Sequence, residues 1–300
     1  MLSINIPVYN IEAKDLALQL LNQAKELGVP VEIRIYDDGS ANEIKRKNRD
    51  ISEMPGIVYK EMKKNLGRAA IRNRMGFDSQ YKYLLFIDAD SKIVREDYLK
   101  KYLELATPGC VLCGGTAYDP VKPGDKSKML RWVYGTRREA ISDRERNSKK
   151  SFIITSNNFL TDREVFNLIH FRENLGPYGH EDTLLGYDLF TEGIHPFHID
   201  NPVEHTGLED SVIFLEKTKD ALKNLNFITS KVLSNDKELS RQVNFLKRYN
   251  TLPWFIPPML LKPLFNLLRS SLEKNLTGSS PKLFFFDLYK LLYYATLKVL

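Results

Sequence analysis

Along the first hundred residues, apolar runs and helically spaced stretches alternate. "LSINIPVY" is an apolar run from Leu2, closed by proline and asparagine. "KDLALQLLNQAKELG" carries its apolar residues at helical spacing and stops at glycine. "PVEIRIYDDGS" alternates and ends in a turn signal, after which charged "ANEIKRKNRD" reads as a surface helix. Then follow "GIVYKEMKK" as strand, "NLGRAAIRNRMGFDSQ" as a helix opened by Asn-Leu-Gly, and "YKYLLFIDAD" as strand. "VREDYLKKYLELA" reads as helix and "CVLCGGTAY" as strand. Strand–helix alternation of this kind predicts an α/β fold with a largely parallel sheet and right-handed crossovers.

From Asp119 to Lys150 the pattern loosens into the loop "DPVKPGDKSK" and a basic, helical excursion, "LRWVYGTRREAISDRERNSKK". Order returns with "SFIITSNNFLTDREVFNLI", "LGPYGHEDTLLGYDLFTEG" and "IHPFHIDNPVEH". A polar helical stretch over about 209–250 and an apolar, proline-containing tail complete the chain. The expected organisation is an α/β domain over 1–215 and a helical extension over 216–300.

Composition changes this picture mainly at the tail. The chain is 43% hydrophobic and 27% charged, as in soluble globular proteins. Its net charge is +6; residues 251–300 hold six basic and two acidic side chains, so the tail supplies +4. The tail also holds nine of the 33 aromatics, including Trp254 and Phe284–Phe286. A basic excess that travels with apolar residues points to a membrane surface and away from nucleic acid. Cys110 and Cys113 form a lone C-x-x-C without a second pair, which reads as two strand thiols. Strand-like residues start at Leu2, leaving no room for a signal peptide, so a reducing cytosol is the expected compartment.

Two of the strands end in acid, at Asp37–Asp38 and at Asp88-Ala-Asp90. Open parallel sheets bind ligands beyond the carboxyl ends of their strands. Residues two apart on a strand share a face, so Asp88 and Asp90 are expected to point together into that crevice. Two converging carboxylates need a compensating cation. Hard oxygen ligands suit Mg²⁺ or Mn²⁺, especially beside a diphosphate.

The segments "SINIPVYN", "IYDDGS", "NLGRAAIRN", "LLFIDADSKI", "TSNNFLTDREVF" and "YGHEDTLLGYDL" occur in this order over roughly residues 2–207. In this order and spacing the chain resembles a family 2 glycosyltransferase of the GT-A fold, a Rossmann-like, mostly parallel sheet flanked by helices. The resemblance implies a metal-dependent, inverting hexosyl- or N-acetylhexosaminyltransferase. Its donor would be a nucleotide-sugar, with UDP favoured, and its acceptor a glycan or lipid-linked hydroxyl in surface polysaccharide or glycoconjugate assembly. It places Pro7, Val8 and Tyr9 along the nucleotide pocket and Asp37 or Asp38 against the base, where a carboxylate can accept a uracil N–H. Asn65, Gly67, Arg68 and Arg72 would meet the nucleotide or diphosphate. Asp88 and Asp90 correspond to the D-x-D motif: the first touches ribose or sugar and shares the metal site, and the second binds the metal. His205 would complete the metal shell. Asn157 or Asn158 would line the sugar and acceptor pocket. Asp182 would be the base and Glu181 the partner of acceptor or sugar hydroxyls; a base on the acceptor side implies a single displacement with inversion.

A zinc reading of His195, His198 and His205 is set aside, since the first two fall on opposite strand faces and no cysteine joins them. A sugar-phosphate nucleotidyltransferase would carry a glycine-rich basic loop after the first strand; "IPVYNIEAKD" has no glycine and one lysine. A non-catalytic sugar- or membrane-binding scaffold would have lost acids that this chain keeps. In the tail, charge and proline interrupt every apolar run. On a helix, Asp287, Lys290, Tyr294 and Lys298 fall near one stripe and leave a wide apolar face, which would either pack on the preceding domain or, the favoured alternative, lie in the interface with basic residues at anionic lipid of the inner leaflet. The Asn275-Leu-Thr277 sequon would go unused in a cytosolic, peripherally bound chain.

Overall fold

Strand β1 (Leu2–Val8) shows how the apolar alternation is used. Leu2, Ile4, Ile6 and Val8 enter one core with Leu16, Ala17 and Leu20 of α1 (Lys14–Glu26). Ser3 and Asn5 take the opposite face, where Ser3 donates to Glu32 and Asn5 accepts from Ser79. Each fully buried leucine or isoleucine contributes about 1.5–3 kcal/mol. This computed structural model describes residues 1–149, 152, 154–176, 178–234, 236–251 and 258–298.

In chain order there follow β2 (Val31–Asp37), α2 (Asn42–Asn48), β3 (Ile57–Glu61), α3 (Arg68–Asp78), β4 (Tyr83–Ile87), β5 (Ser91–Ile93) and α4 (Tyr98–Leu105). Next are β6 (Val111–Cys113), β7 (Thr116–Ala117), α5 (Met129–Tyr134), α6 (Asp143–Ser148), β8 (Asn158–Asp162) and α7 (Arg163–Leu168). α8 (Glu181–Thr191), β9 (Phe197–His198), β10 (Val203–His205) and α9 (Ser211–Phe227) lead into α10 (Lys237–Gln242), α11 (Asn244–Asn250), α12 (Pro258–Leu276) and α13 (Leu283–Leu297).

Among the described residues the strands form a seven-stranded sheet ordered β3-β2-β1-β4-β8-β6-β9 and a three-stranded sheet ordered β5-β10-β7. β3, β2, β1 and β4 are parallel, whereas β8 runs antiparallel to both β4 and β6. The largely parallel sheet expected from the sequence is thus a mixed one with a single reversed inner strand. The chain moves outward from β1 through β2 to β3, then returns to place β4 on the other side of β1. That reversal is a topological switch point. The β1–β4 ladder stops at Asn5 opposite Phe86, two residues before Pro7, which has no N–H to continue it.

The second face of the sheet packs Leu84, Phe86, Val111, Cys113 and Phe159 against Val165 and Phe166 of α7 and Leu185 and Leu189 of α8. Gly76 lets α3 approach closely there, since a Cβ on it would lie 2.2 Å from the Phe166 ring. The expected strand "CVLCGGTAY" breaks at Gly114-Gly115. A Cβ on Gly114 would meet Asn158, Asn201 and Tyr102 at 2.4–2.5 Å, and Gly115 has φ +91. Cys113 is buried and its thiol is pushed up to about 12 by burial, while Cys110 is half-buried; both are free thiols.

The chain divides into two compact units: residues 1–118, 140–173 and 181–207, and residues 119–139, 174–180 and 208–300. The first holds both sheets. The second is helical, with Leu130, Leu215, Leu261, Phe265, Leu272, Leu276, Phe286, Tyr289, Leu292 and Ala295 as its core. Here the polar stripe of α13 is only partly outward: Lys298 is exposed, and Asp287 and Lys290 are half-buried. Tyr294 is fully buried, and Asp287 takes ion pairs from Arg138, Arg248 and Lys290. Lys290 is an i,i+3 partner within α13, but Arg138 and Arg248 come from distant segments and cannot be read from helical spacing. Exposed apolar side chains remain on both helices, Phe284 on α13 and Leu264 and Leu267 on α12, where Lys262, Arg269 and Lys274 are also exposed. Trp254 lies outside the described residues. No helix among the described residues is long and apolar enough to cross a membrane.

Candidate active site

At the end of β2, Asp37 and Asp38 both turn inward. Asp37 is fully buried and accepts the Ser40 amide at 2.7 Å. Asp38 accepts the amides of Leu66 at 2.7 Å and Gly67 at 3.1 Å, and burial followed by the neighbouring Asp37 charge raises its pKa. Gly39 adopts φ +80, and a Cβ there would lie 2.6 Å from the Asn65 backbone nitrogen. The Asp-Asp-Gly-Ser turn therefore clamps the 64–67 loop and fixes the start of α3. Both acids are buried, and Asp37 Oδ2 has no hydrogen-bond partner there. Of the residues expected along the nucleotide pocket, Val8 is core, Pro7 is half-buried, and Tyr9 and Asn65 are exposed. Gly67, at φ +93, sets the N-terminal boundary of α3.

Arg68 and Arg72 project from the first two turns of α3, one turn apart. Arg72 is 2% exposed, pairs with Asp88 and donates to the Arg68 carbonyl at 3.0 Å. Arg68 donates through Nε to Glu181 Oε1 at 2.6 Å and lies 3.6 Å from Asp88. The α3 arginines, the acid after β4 and the first acid of α8 thus form one cluster. Burial would raise Asp88, but Arg72 and Arg68 hold its carboxyl below the usual carboxylate range. Glu181 is likewise held low by Arg68 and Arg72 against the cost of burial. Asp182 behaves in the opposite way. Burial, then the adjacent Glu181 charge, push it up to about 7, although the Thr183 amide donates to it at 2.7 Å.

Asp88 and Asp90 do not share a strand face. β4 ends at Ile87, and Asp88-Ala-Asp90 forms a turn in which Ser91 N donates to Asp88 O at 3.1 Å. The turn sends the two carboxylates to different partners, Asp88 to the arginines and Asp90 to His205. Asp90 Oδ2 lies 3.3 Å from His205 Nε2, whose ring stacks on Tyr118 at 5.4 Å between centroids. Thr206 holds the Asp90 carbonyl through its amide at 2.8 Å and its hydroxyl at 2.9 Å. A Cβ on Gly207 would lie 2.5 Å from Asp90 Oδ2. Tyr118, Thr206 and Gly207 escaped the sequence reading; the glycine closely following His205 was the available signal.

Among the described residues no group of three or more His, Cys, Asp or Glu side chains is arranged to hold a metal ion. The Asp90–His205 pair nevertheless fits as half of a shared site. Two ligands bound at about 2.1 Å and at right angles sit about 3 Å apart, close to the separation seen here. The remaining positions would fall to ligand oxygens.

Asn158 is fully buried and fully engaged: Tyr98 and Tyr102 donate to its Oδ1 at 2.6 and 2.7 Å, and its Nδ2 reaches the carbonyls of Gly115 and Asn201. It braces the sheet, whereas Asn157 is half-buried. Asn157 bonds Thr116, and its carbonyl receives the Asp88 amide at 3.1 Å. His198 is buried against Arg146, while His195 is exposed.

The model of the family described as Glycosyl transferase family 2 matches residues 3–169, more than half of the chain. No curated protein matches in sequence. Among solved structures, the mannosyltransferase PcManGT from Pyrobaculum calidifontis, in complex with GDP-Man and Mn²⁺, is similar. It is 16% identical, with a TM-score of 0.61 covering 99% of this chain and 85% of that one. Residues 1–349 of S. aureus TarS are also 16% identical, with a TM-score of 0.50 covering 99% and 90%. Those likenesses establish the architecture and the family match establishes the class: this chain belongs to glycosyl transferase family 2 and is a glycosyltransferase of the GT-A fold.

Proposed function

We propose that the chain transfers a sugar from a nucleotide-diphospho-sugar, UDP-linked in the leading case, to a hydroxyl of a glycan or lipid-linked acceptor with inversion. The observation that carries this reading is the Arg68–Glu181 contact at 2.6 Å, which brings the diphosphate-side helix and the Glu-Asp start of α8 into one cluster. In this reading Asp182 takes the proton from the acceptor hydroxyl. The freed oxygen forms a bond to the anomeric carbon as the bond to the diphosphate oxygen breaks, and the leaving oxygen keeps the electron pair. A carboxylate poised near neutrality suits that task. Arg72 and Arg68 supply positive charge where the diphosphate departs. Asp90 and His205 would hold a divalent ion, Mn²⁺ or Mg²⁺, which when bound supplies Lewis-acid stabilisation of the leaving diphosphate. Tyr9, Asn65 and Pro7 line the mouth, and Asp37 and Asp38 act by holding the turn.

The same reading places the enzyme at the cytoplasmic face of a membrane, in assembly of a surface polysaccharide or glycoconjugate. The support is the exposed Leu264–Leu267 face with its basic neighbours. Nucleoside diphosphate release from a panel of UDP-sugars and GDP-mannose, with and without Mn²⁺, tests the function. GDP-mannose belongs in the panel because the Pyrobaculum structure carries it. One donor turned over only with metal is expected; metal-independent release, or none from any donor, overturns the proposal.

A further inference from the structure

Arg68 stands between two carboxylates with different duties in the reaction proposed above. Its Nε donates to Glu181 Oε1 at 2.6 Å, and its Nη2 lies 3.6 Å from Asp88 Oδ2. Arg72 carries the main pairing with Asp88 and is sealed in, with a side chain 3% exposed. The Arg68 side chain is 42% exposed, against 10% for Glu181. One guanidinium is therefore built into the floor, and the other can be reached and redirected by a ligand.

A carboxylate already bound to a guanidinium is a poor acceptor for a sugar hydroxyl. A diphosphate is more highly charged than a carboxylate and also matches the guanidinium fork. Ion pairs of a half-exposed arginine are weak, so exchanging one for a diphosphate costs little. Among the groups that face Arg68 are Asp88 from the turn after β4, Arg72 from its own helix, and Glu181 from α8, with Asp182 next in the chain. Drawing Arg68 toward a diphosphate leaves Glu181 without its principal cation and open on the acceptor side.

We infer that Arg68 is a positioning residue with two stations: without donor it covers Glu181, and a donor diphosphate draws it off, so that Glu181 meets the acceptor hydroxyl only once the donor is seated. This rests on reading Glu181 and Asp182 as the acceptor-side acids. It gives Arg68 a role beyond donor contact, because Glu181 and the diphosphate compete for one guanidinium.

That competition is measurable without acceptor or turnover. Binding of UDP and of GDP, each with Mn²⁺, is measured by calorimetry for the unaltered chain, Glu181→Gln, Arg68→Met and the double variant. Thermal melting is followed in each, and Arg68→Gln replaces Arg68→Met if the latter melts below the assay temperature. Glu181→Gln should tighten nucleotide binding about 3–10-fold by freeing Arg68, and Arg68→Met should weaken it about tenfold. In the Arg68→Met background, Glu181→Gln should change nothing, because there is no guanidinium left to release. A merely structural ion pair predicts weaker or equal binding in Glu181→Gln, and plain charge removal predicts the same gain in both backgrounds; either result overturns the inference. If the unaltered chain binds neither UDP nor GDP, the nucleotide-sugar reading itself fails; if it binds one but the Glu181 effect is missing, only the two-station role falls.

Discussion

Asp182 concentrates the chemistry in one carboxyl, and its surroundings set the pH at which that carboxyl works. Its folded pKa of about 7 lies above the ordinary 3.8, so the folded chain holds this proton more tightly than the unfolded chain. Between those two values, rising pH therefore costs stability, and the loss is complete once pH passes the folded value. Activity runs the other way, since a base must be deprotonated. We expect kcat/KM to fall below an acid limb near pH 7. Asp182→Asn should gain up to about 4 kcal/mol of stability over the unaltered chain at pH 8 and almost nothing at pH 3.5, measured by urea unfolding. An acid limb near pH 4, or a stability gain independent of pH, would contradict this environment. At this scale the sequence was informative about identity and poor about direction. Asp88, Asp90, Glu181 and Asp182 were all legible as acids at element ends. Which partner each takes was not, because a one-residue turn step after Ile87 separates Asp88 from Asp90. The bonds of Asp37 and Asp38 were hidden for a related reason: a turn sequence that suits ligand contact also suits clamping the 64–67 loop.

Helix α3 is the element that converts packing into a site. Its far end lies against α7 through Gly76, and its near end presents Arg68 and Arg72. Gly76→Ala puts a methyl into the Phe166 ring, which is 1% exposed and stacked on Phe86 at 5.3 Å, so the ring cannot swing clear. The expected cost is about 1–3 kcal/mol in urea unfolding, as for other overpacked cores. A change under about 0.5 kcal/mol would show that α3 can shift without penalty. The strands and helices of the sheet-bearing unit were legible because each carries a strong local period, as β1 and β4 do. The reversal of β8 was not: a short, fully buried run such as "NFLTD" reads the same in either direction. Inward packing of α13 was equally hidden, because Arg138 and Arg248, which neutralise Asp287, lie far away in sequence.

For the whole molecule, the net charge of +6 and the apolar tail suggested a membrane surface before any helix was placed. Within the helical unit, α12 is the part of that tail with the most exposed leucine: Leu267 is 76% exposed and Leu264 39%, with exposed Lys274 seven residues on from Leu267 and so on the same side of the helix. Liposomes containing anionic lipid should float the full chain. Leu264→Glu with Leu267→Glu should reduce flotation at least several-fold while leaving nucleotide binding unchanged. Equal flotation of the double variant would remove α12 as the contact.

The central claim is that Asp182 is the base of an inverting, nucleotide-sugar-dependent transfer. Turnover of Asp182→Asn on the donor found in the panel, with nucleotide affinity measured alongside, tests it most directly. The account predicts a fall in kcat of about 10²–10⁴-fold with nucleotide affinity changed less than about twofold. Turnover within about threefold of the unaltered chain would contradict it.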